Sequence, residues 1–464
     1  MILRGKIGIK EKFLETIKKY DMIRTKDKII IGLSGGPDSV CLLDLFCSIR
    51  EEFQLEVFAA HLNHCFRGRE SDEDEEFAKA LCEKYNVKFF SKRVNVPEII
   101  EKTGLSPEDA ARRVRYDFLF ELKEKLNADK IAVGHNMNDH EETVLMNIFR
   151  GTGTEGLIGI EPKRGCLIRP LIEIERTNIE DYLKKHNIPY RIDSTNLKTE
   201  YYRNKIRLEL IPYIKQKFCP HFSDAVKRLS DIVALDVSFI ESIIENIYPS
   251  LVTEGKNFIK LHIKPFEKQP TGARYRILRK VIGNILGELK DIEFNHIKSL
   301  DEFIIEQSPG KMVELPRGIC GEKGYEEFYF YIKGQIKDFS YVLNIPGEIY
   351  ITEIGKKISA ELLDRTTNFK LKATPLKVFV DYGKIRGNLI VRNRRPGDRF
   401  FPFGFKFSKK LQDFFVDQKI PSFERNLVPI VENEGKIVWV GGFRLDDRFK
   451  IDDNTTQILI LEIK

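Results

Sequence analysis

Apolar and polar positions change their period along the chain, and the changes divide it. Short apolar runs at 28–33, 55–61, 87–91 and 130–134 alternate with helix-like stretches at 11–24, 40–52, 71–85, 106–127 and 140–150. That alternation predicts a doubly wound α/β fold, a parallel sheet with helices on both faces. Around 215–222 the pattern shifts. Residues 222–248 read as one long amphipathic helix, with Val226, Leu229, Val233, Ile240 and Ile244 as candidate buried positions. Further helices are expected at 273–288 and 294–307, with a short β element near 257–263. From about 311 strand signals return, at 311–315, 328–332, 377–380, 436–443 and 456–463, separated by Pro and Gly. The expected organisation is therefore a domain at 1–215, a mainly helical middle domain at 216–345, and a small α/β or β-rich domain at 346–464.

Composition narrows the class. Charged residues make up 32% of the 464 positions, and the net charge is +7, which suits a polyanionic partner without requiring one. Seven cysteines at 41, 47, 65, 82, 166, 219 and 320 form no Cys-x-x-Cys. Their scatter fits a reducing compartment and argues against zinc or iron–sulfur ligation. No apolar stretch approaches the ~20 residues of a membrane span, and the first residues lack the apolar core of a signal peptide. The expectation is a soluble cytoplasmic protein with no membrane partner.

Chemistry concentrates at strand ends, where open α/β sheets bind ligands. Ser34-Gly-Gly-Pro-Asp-Ser39 follows the first apolar run and opens a helix. A strand, a Gly-Gly turn and a helix start make a phosphate cradle. Glycines let the backbone approach an anion, and the first helical amides point at it. Ser34 and Ser39 add hydroxyls. A carboxylate at Asp38 would repel a phosphate unless it held a cation, and Mg²⁺ accepts carboxylate and phosphate oxygens together. A plain βα turn would need none of these polar groups.

Gly134-His-Asn-Met-Asn-Asp-His-Glu-Glu-Thr143 also joins a strand to a helix. Helix capping accounts for Asp139 or Glu142, but not for His135 at the strand terminus. Ser106-Pro107 starts a helix that carries Arg112 and Arg115 on one face, placed to hold phosphate or a nucleic-acid backbone. His61, Asn63, His64 and Arg67 follow the second strand and are candidates for nucleotide or substrate contact. Ile168-Arg-Pro-Leu reads as a packing segment, and Asp193-Ser-Thr-Asn196 as a turn or cap. Arg203 and Arg207 sit at helical spacing beside Tyr202 and suit an RNA backbone. Residues 376–430 hold twelve Lys or Arg against five Asp or Glu, with Phe400, Phe401, Phe403, Phe405 and Phe407 interleaved. Such alternation is one face of a strand, or a basic and aromatic surface for RNA.

The Ser-Gly-Gly-x-Asp-Ser loop resembles that of the PP-loop ATP pyrophosphatases, which implies ATP split into AMP and pyrophosphate. The ordered set over 28–210 resembles the tRNA(Ile)-lysidine synthetases: the loop, His-x-Asn-His with Arg-Gly, Ala-Ala-Arg-x-x-Arg-Tyr, Gly-His, Arg-Pro-Leu, Asp-Ser-Thr-Asn and Tyr-x-Arg-Asn-x-x-Arg. Arg395-Pro-Gly-Asp-Arg399 and Lys409-Lys-Leu-Gln-Asp-Phe-Phe415 extend the resemblance. It implies an adenine nucleotide alpha hydrolase-like N-terminal fold. It also implies ATP-dependent ligation of L-lysine to carbon 2 of the wobble cytidine in a tRNA(Ile) with a CAU anticodon, and it leaves room for a homodimer. Ser34, Gly35, Gly36, Pro37, Asp38 and Ser39 would hold ATP, and Asp38 and Asp139 would hold Mg²⁺. Asp38, Asp139, Arg115 and His135 would be catalytic, with Arg112 and Arg115 stabilising charge during transfer. Glu142 would face the lysine amine, and Arg203, Arg207, Arg395, Lys409 and Lys410 would face tRNA. One departure stands out: Asn138-Asp139-His140 replaces the family's usual Asp-Asp-Gln. The competing reading is tRNA 2-thiolation, which the missing Cys-x-x-Cys disfavours. A small-molecule synthetase lacks a glutaminase region here, and an inactive RNA-binding relative would release no pyrophosphate.

Overall fold

A computed structural model describes residues 8–66, 68–191, 202–255, 258–334, 338–365 and 372–464. Arg67 and Asp193–Asn196 fall outside the described residues. The chain divides into two compact units, 1–240 and 241–464.

In the first unit the strands are β1 (Lys28–Gly32), β2 (Glu56–Asn63), β3 (Lys88–Arg93), β4 (Lys130–Ala132), β5 (Lys163–Arg164) and β6 (Leu167–Ile168). Their order is β3-β2-β1-β4-β6-β5. All neighbouring pairs are parallel except β5 with β6, which closes one edge as a hairpin. Helices α1 (Ile9–Lys19), α2 (Pro37–Ile49), α3 (Arg69–Lys84), α4 (Val96–Thr103), α5 (Pro107–Leu126), α6 (Met137–Phe149), α7 (Thr154–Leu157) and α8 (Arg176–Lys185) occupy the connections.

Strand alternation sorts the core into two layers. Ile29, Ile31, Val57, Ala59, Ala132 and Ile168 face one side and pack with residues of α1, α2, α3 and α8. Ile30, Phe58, Ala60, Ile131 and Leu167 face the other and pack with Phe118, Leu119 and Leu122 of α5. The doubly wound sheet expected from the sequence is thus present, with β5, β6, α4, α7 and α8 as additions.

After α9 (Tyr202–Lys205) the chain makes a single π-helical turn at Ile206–Leu210, then α10 (Ile211–Lys217) and α11 (Phe222–Leu251). On α11, Val226, Val237 and Ile244 are buried. Leu229 is a correction: it lies 43% exposed, one position off the buried stripe.

The second unit is richer in strands than its sequence pattern suggests. Helices α12 (Ile263–Glu267), α13 (Thr271–Leu286) and α14 (Phe294–Glu306) accompany a five-stranded antiparallel sheet. Its strands are β7 (Val252–Glu254), β8 (Ile259–His262), β9 (Met312–Glu314), β10 (Ile319–Lys323) and β11 (Glu327–Ile332), ordered β7-β8-β11-β10-β9. Two further sheets follow. One runs β12 (Ser340–Leu343), β16 (Leu389–Arg392), β19 (Ile430–Asn433), β20 (Lys436–Val440) and β21 (Arg444–Leu445). The other runs β13 (Gly347–Ile351), β14 (Lys356–Asp364), β22 (Gln457–Ile463) and β15 (Lys377–Asp381). They share a core containing Leu343, Ile358, Val391, Trp439 and Leu459. A two-stranded ribbon, β17 (Arg399–Phe400) with β18 (Lys409–Lys410), leads into α15 (Leu411–Asp417). Among the described residues no helix is long and apolar enough to cross a membrane.

Candidate active site

The β1–α2 turn has the geometry its glycines predict. Gly35 adopts φ +86°, a left-handed conformation that suits a residue without Cβ. Gly36 is the extended N-cap of α2, and Pro37 opens the helix. The two serines brace the turn from within. Ser39 Oγ donates to Gly36 O at 3.0 Å and accepts from Ser34 N at 3.1 Å, and the two hydroxyls lie 3.1 Å apart.

A second turn, between β4 and α6, packs directly against the first. A Cβ on Gly134 would sit 3.0 Å from the Asp38 carbonyl carbon and 3.1 Å from Ser39 N. A side chain there would be crowded enough that the Asp38 backbone would have to yield by a few tenths of an ångström. Asn136 then ties the turns together. Its Nδ2 donates to Asp38 Oδ1 at 2.8 Å. Its Oδ1 accepts from the backbone N of Asn138 and Asp139, while its own N donates to Asp139 Oδ2 at 3.1 Å, completing a capping box.

Asp38 is largely enclosed. Burial, together with the nearby Asp139 charge, pushes its carboxyl up from 3.8 to about 6, against the opposing pull of Arg176 and the Asn136 amide. Arg176, the first residue of α8, reaches Asp38 Oδ2 at 3.5 Å. Among the described residues no group of three or more His, Cys, Asp or Glu is placed to hold a metal. The donor set is instead a carboxylate pair in mutual repulsion. That set fits Mg²⁺, which takes one or two carboxylates and completes its shell with phosphate and water.

The departure at 138–140 has a structural reason. Asn138 accepts from Arg176 N at 2.9 Å and donates to Glu141 Oε1 at 2.9 Å. Only an amide can do both, and an aspartate here would face the buried Glu141 carboxylate. Glu141 also accepts from Ser223 Oγ and Lys215 Nζ. His140 likewise spans two partners, Ser230 Oγ at 3.0 Å and Ile160 N at 3.3 Å. Burial lowers it to about 4, so it stays neutral.

Arginines divide into two groups. Arg203 and Arg207 are drawn inward. Arg203 pairs with Glu142 at 2.8 Å, Asp139 at 3.2 Å and Glu108 at 2.9 Å. Arg207 bonds both oxygens of Glu142 and reaches Asp139 at 3.3 Å. The Glu142 side chain is fully buried. Burial opposes the charge on Arg203, but Asp139 and Glu142 outweigh it and raise its pKa.

Arg112, Arg115 and Arg169 form no ion pair with a described residue. Arg112 lies over the Tyr116 ring at 5.3 Å, and Arg115 contacts His64 Nε2 at 3.4 Å. Arg169, 5% exposed, donates to Glu161 O at 2.6 Å and leaves its Nε without a partner. Between them, His135 has an unpartnered buried Nδ1. Burial, with the charges of Arg169, Arg112, Arg203 and Arg115, drives it down to about 3, so the ring is neutral. Uncompensated guanidinium groups beside a neutral acceptor make a pocket for an anion.

The other strand-end residues are structural. His61 Nδ1 contacts Leu33 O at 2.9 Å. Asn63 bonds Ser71 O, Asp72 and Glu75, fixing the start of α3. In the second unit Lys409 pairs with Asp417, Lys410 is exposed, and Arg395 reaches Glu432 at 3.9 Å. Asn136, Arg169 and Arg176 escaped the sequence reading. Asn136 had a legible signal, an Asn three residues before an Asp at a helix start.

A model of the PP-loop domain matches residues 7–214, and one of the TilS substrate C-terminal domain matches 389–461. The chain is 39% identical over 460 residues to the tRNA(Ile)-lysidine synthase of Caldanaerobacter subterraneus subsp. tengcongensis, covering 98% of each chain. It is 38% identical to the proteins of that name from Clostridium tetani, covering 97% of each, and Clostridium acetobutylicum, covering 97% of this chain and 98% of that one.

Proposed function

Because the chain belongs to the tRNA(Ile)-lysidine synthase family, we propose that it joins free L-lysine to carbon 2 of the wobble cytidine in a CAU anticodon. The reaction consumes ATP and releases AMP and pyrophosphate. The chemistry has two steps. The oxygen on cytosine carbon 2 attacks the α-phosphorus of ATP, and pyrophosphate leaves. The lysine amine then attacks carbon 2 and the carbon–oxygen bond breaks, expelling AMP. A carbonyl oxygen leaves poorly, whereas a phosphorylated one leaves well, and that difference is the reason for spending ATP.

Ser34–Ser39 hold the phosphates through backbone amides. Asp38 and Asp139 are the residues that would hold Mg²⁺, whose chemistry is to neutralise phosphate charge during transfer. Arg112 and Arg115, with Arg169 beside them, stabilise negative charge on the reacting groups. His135, held neutral by burial and the surrounding arginines, is a hydrogen-bond partner within the same cluster. Glu142, whose fully buried carboxylate is already bonded by Arg203 and Arg207, does not meet the lysine ammonium directly; it orders these two arginines beside Asp139. In the C-terminal part Arg395, Lys409 and Lys410 grip the tRNA. The division at 1–215, 216–345 and 346–464 separates catalysis, tRNA recognition and tRNA binding. A cytoplasmic enzyme, with a homodimer as its assembly, completes the reading.

The single supporting observation is the coupling of the Asp38 turn to the Asp139 cap through Asn136, beside arginines that no described carboxylate neutralises. Thiolation gains no support. All seven cysteines are free thiols, and burial pushes Cys47 up to about 11 and Cys82 up to about 12. The test is transfer of radiolabelled lysine to a tRNA transcript, with AMP and pyrophosphate counted together. A CAU transcript should be labelled with one AMP released per lysine, and a UAU transcript should not. Absence of incorporation into the CAU transcript overturns the proposal.

A further inference from the structure

Arg176 stands where helix chemistry gives it no reason to stand. It is the first residue of α8, whose first turn holds no acid and whose N-cap, Glu175, makes no side-chain cap bond. A cation there opposes the helix dipole. Nor does α8 need this side chain as an anchor. Ile179 and Leu183 are fully buried, Tyr182 Oη donates to Asp44 at 2.6 Å, and the backbone N of Arg176 already donates to Asn138.

The guanidinium divides unevenly between two carboxylates. Nε donates to Glu180 Oε1, one turn along α8, at 2.9 Å, a full hydrogen bond. Nη1 reaches Asp38 Oδ2 only at 3.5 Å, the outer limit of one. Asp38 is better held on its other oxygen, by Asn136 at 2.8 Å. The Arg176 side chain is 31% exposed, so water has access to the weaker contact. Glu180 is thus a pivot, and the contact with Asp38 is the one free to open.

The Ser34–Ser39 turn contains no Lys or Arg. Phosphate loops of the P-loop type pair Mg²⁺ with a Lys that shares the same phosphates. Among the described residues Arg176 is the one side chain that forms an ion pair with the turn. Arg203 and Arg207 are committed to Glu142 and Asp139, while Arg112, Arg115 and Arg169 act on His135.

We infer that Arg176 stands in for the cation at Asp38 and then grips the pyrophosphate end of ATP. In the free protein it neutralises Asp38. With nucleotide bound it yields that carboxylate to Mg²⁺, keeps its bond to Glu180, and pairs with the β- and γ-phosphates. The inference rests on the proposed function, which puts phosphates on the Ser34–Ser39 turn and Mg²⁺ on Asp38.

Two affinities should therefore move in opposite directions in Arg176→Gln of the full-length protein. Mn²⁺, used in place of Mg²⁺, is titrated alone and read by loss of its free-ion EPR signal. Pyrophosphate with Mg²⁺ is titrated by calorimetry. Removing a competing cation should tighten Mn²⁺ binding by about threefold or more. Losing a charge-assisted bond should weaken pyrophosphate by about tenfold or more. AMP, which has no β- or γ-phosphate, should bind as before and reports that the site is folded. Arg176→Lys should regain part of the pyrophosphate affinity. A fall in both Mn²⁺ and pyrophosphate affinity marks a structural clamp and overturns the assignment. So does either affinity left unchanged, or an AMP loss that matches the pyrophosphate loss. A wild type that binds neither pyrophosphate nor ATP removes the proposed function, and this inference with it.

Discussion

Asp38→Asn separates the catalytic use of this carboxylate from its cost to the fold. Asp38 is held where ionisation is unfavourable, mainly through burial, so its carboxyl rises from 3.8 to about 6. At pH 8 the group is ionised in both folded and unfolded states. The rise then corresponds to about 3 kcal/mol of lost stability at most. Asparagine keeps the oxygen that accepts from Asn136 and carries no charge. The ligand-free variant should therefore be more stable than the wild type at pH 8, by ~1–3 kcal/mol. For a unit of this size that is a rise in melting temperature of roughly 2–8 °C. The pH dependence has a fixed sign. As pH falls through 6 the folded wild type takes up a proton before the unfolded chain does, so its handicap shrinks. It is mostly gone near pH 4 and vanishes only well below 3.8, where both states are protonated. AMP formation should be lost in the variant, and Mg²⁺ with ATP should raise the melting temperature of the wild type alone. Calorimetry from pH 8 to pH 4.5 measures the first effect and pyrophosphate release the second. A variant that melts lower at pH 8 refutes the reasoning, as does a difference that does not change with pH.

Other substitutions probe the surrounding network. Glu142→Gln removes a fully buried carboxylate between two arginines; a loss of about 3 kcal/mol is expected, measured by urea unfolding with lysine KM followed in parallel. Asn138→Asp sets a carboxylate against Glu141 where an amide donates at 2.9 Å. It should cost ~1–3 kcal/mol at pH 8, and the loss should lessen on acidification in a thermal melt. Gly134→Ala drives a methyl group into the Asp38 backbone. Its expected signature is at least a tenfold fall in kcat/KM for lysine transfer with a stability loss of only about 1–3 kcal/mol.

Much of the site could be read in one dimension because local rules dictate it. The Gly-Gly turn, the Pro at a helix start and the Ser106 cap, whose Oγ accepts from Asp109 N at 3.1 Å, are decided by a few neighbouring residues. Arg203 and Arg207 mark the limit. Helical spacing places both on one face, but nothing local states that the face meets Asp139 and Glu142, more than sixty positions earlier. Arg169 sits in an apolar string that reads as packing, and its importance comes from the missing carboxylate beside it. In the second unit β8, β9 and β11 lie where strands are expected, near 257–263, 311–315 and 328–332, whereas β7, three residues long directly after a helix, and β10 escaped. The Phe400–Phe407 run shows the reverse: its alternation is real, yet its rings are sorted by a looped ribbon, Phe400 inward and Phe403, Phe405 and Phe407 outward.

One side-chain amide, that of Asn136, bonds the aspartate of one turn and caps the helix bearing the other. The two acidic groups consequently share a single mechanical reference, and neither can travel without its companion. Any adjustment during turnover must fall to what surrounds the pair, with Arg176, the longest contact on Asp38 at 3.5 Å, the natural mover.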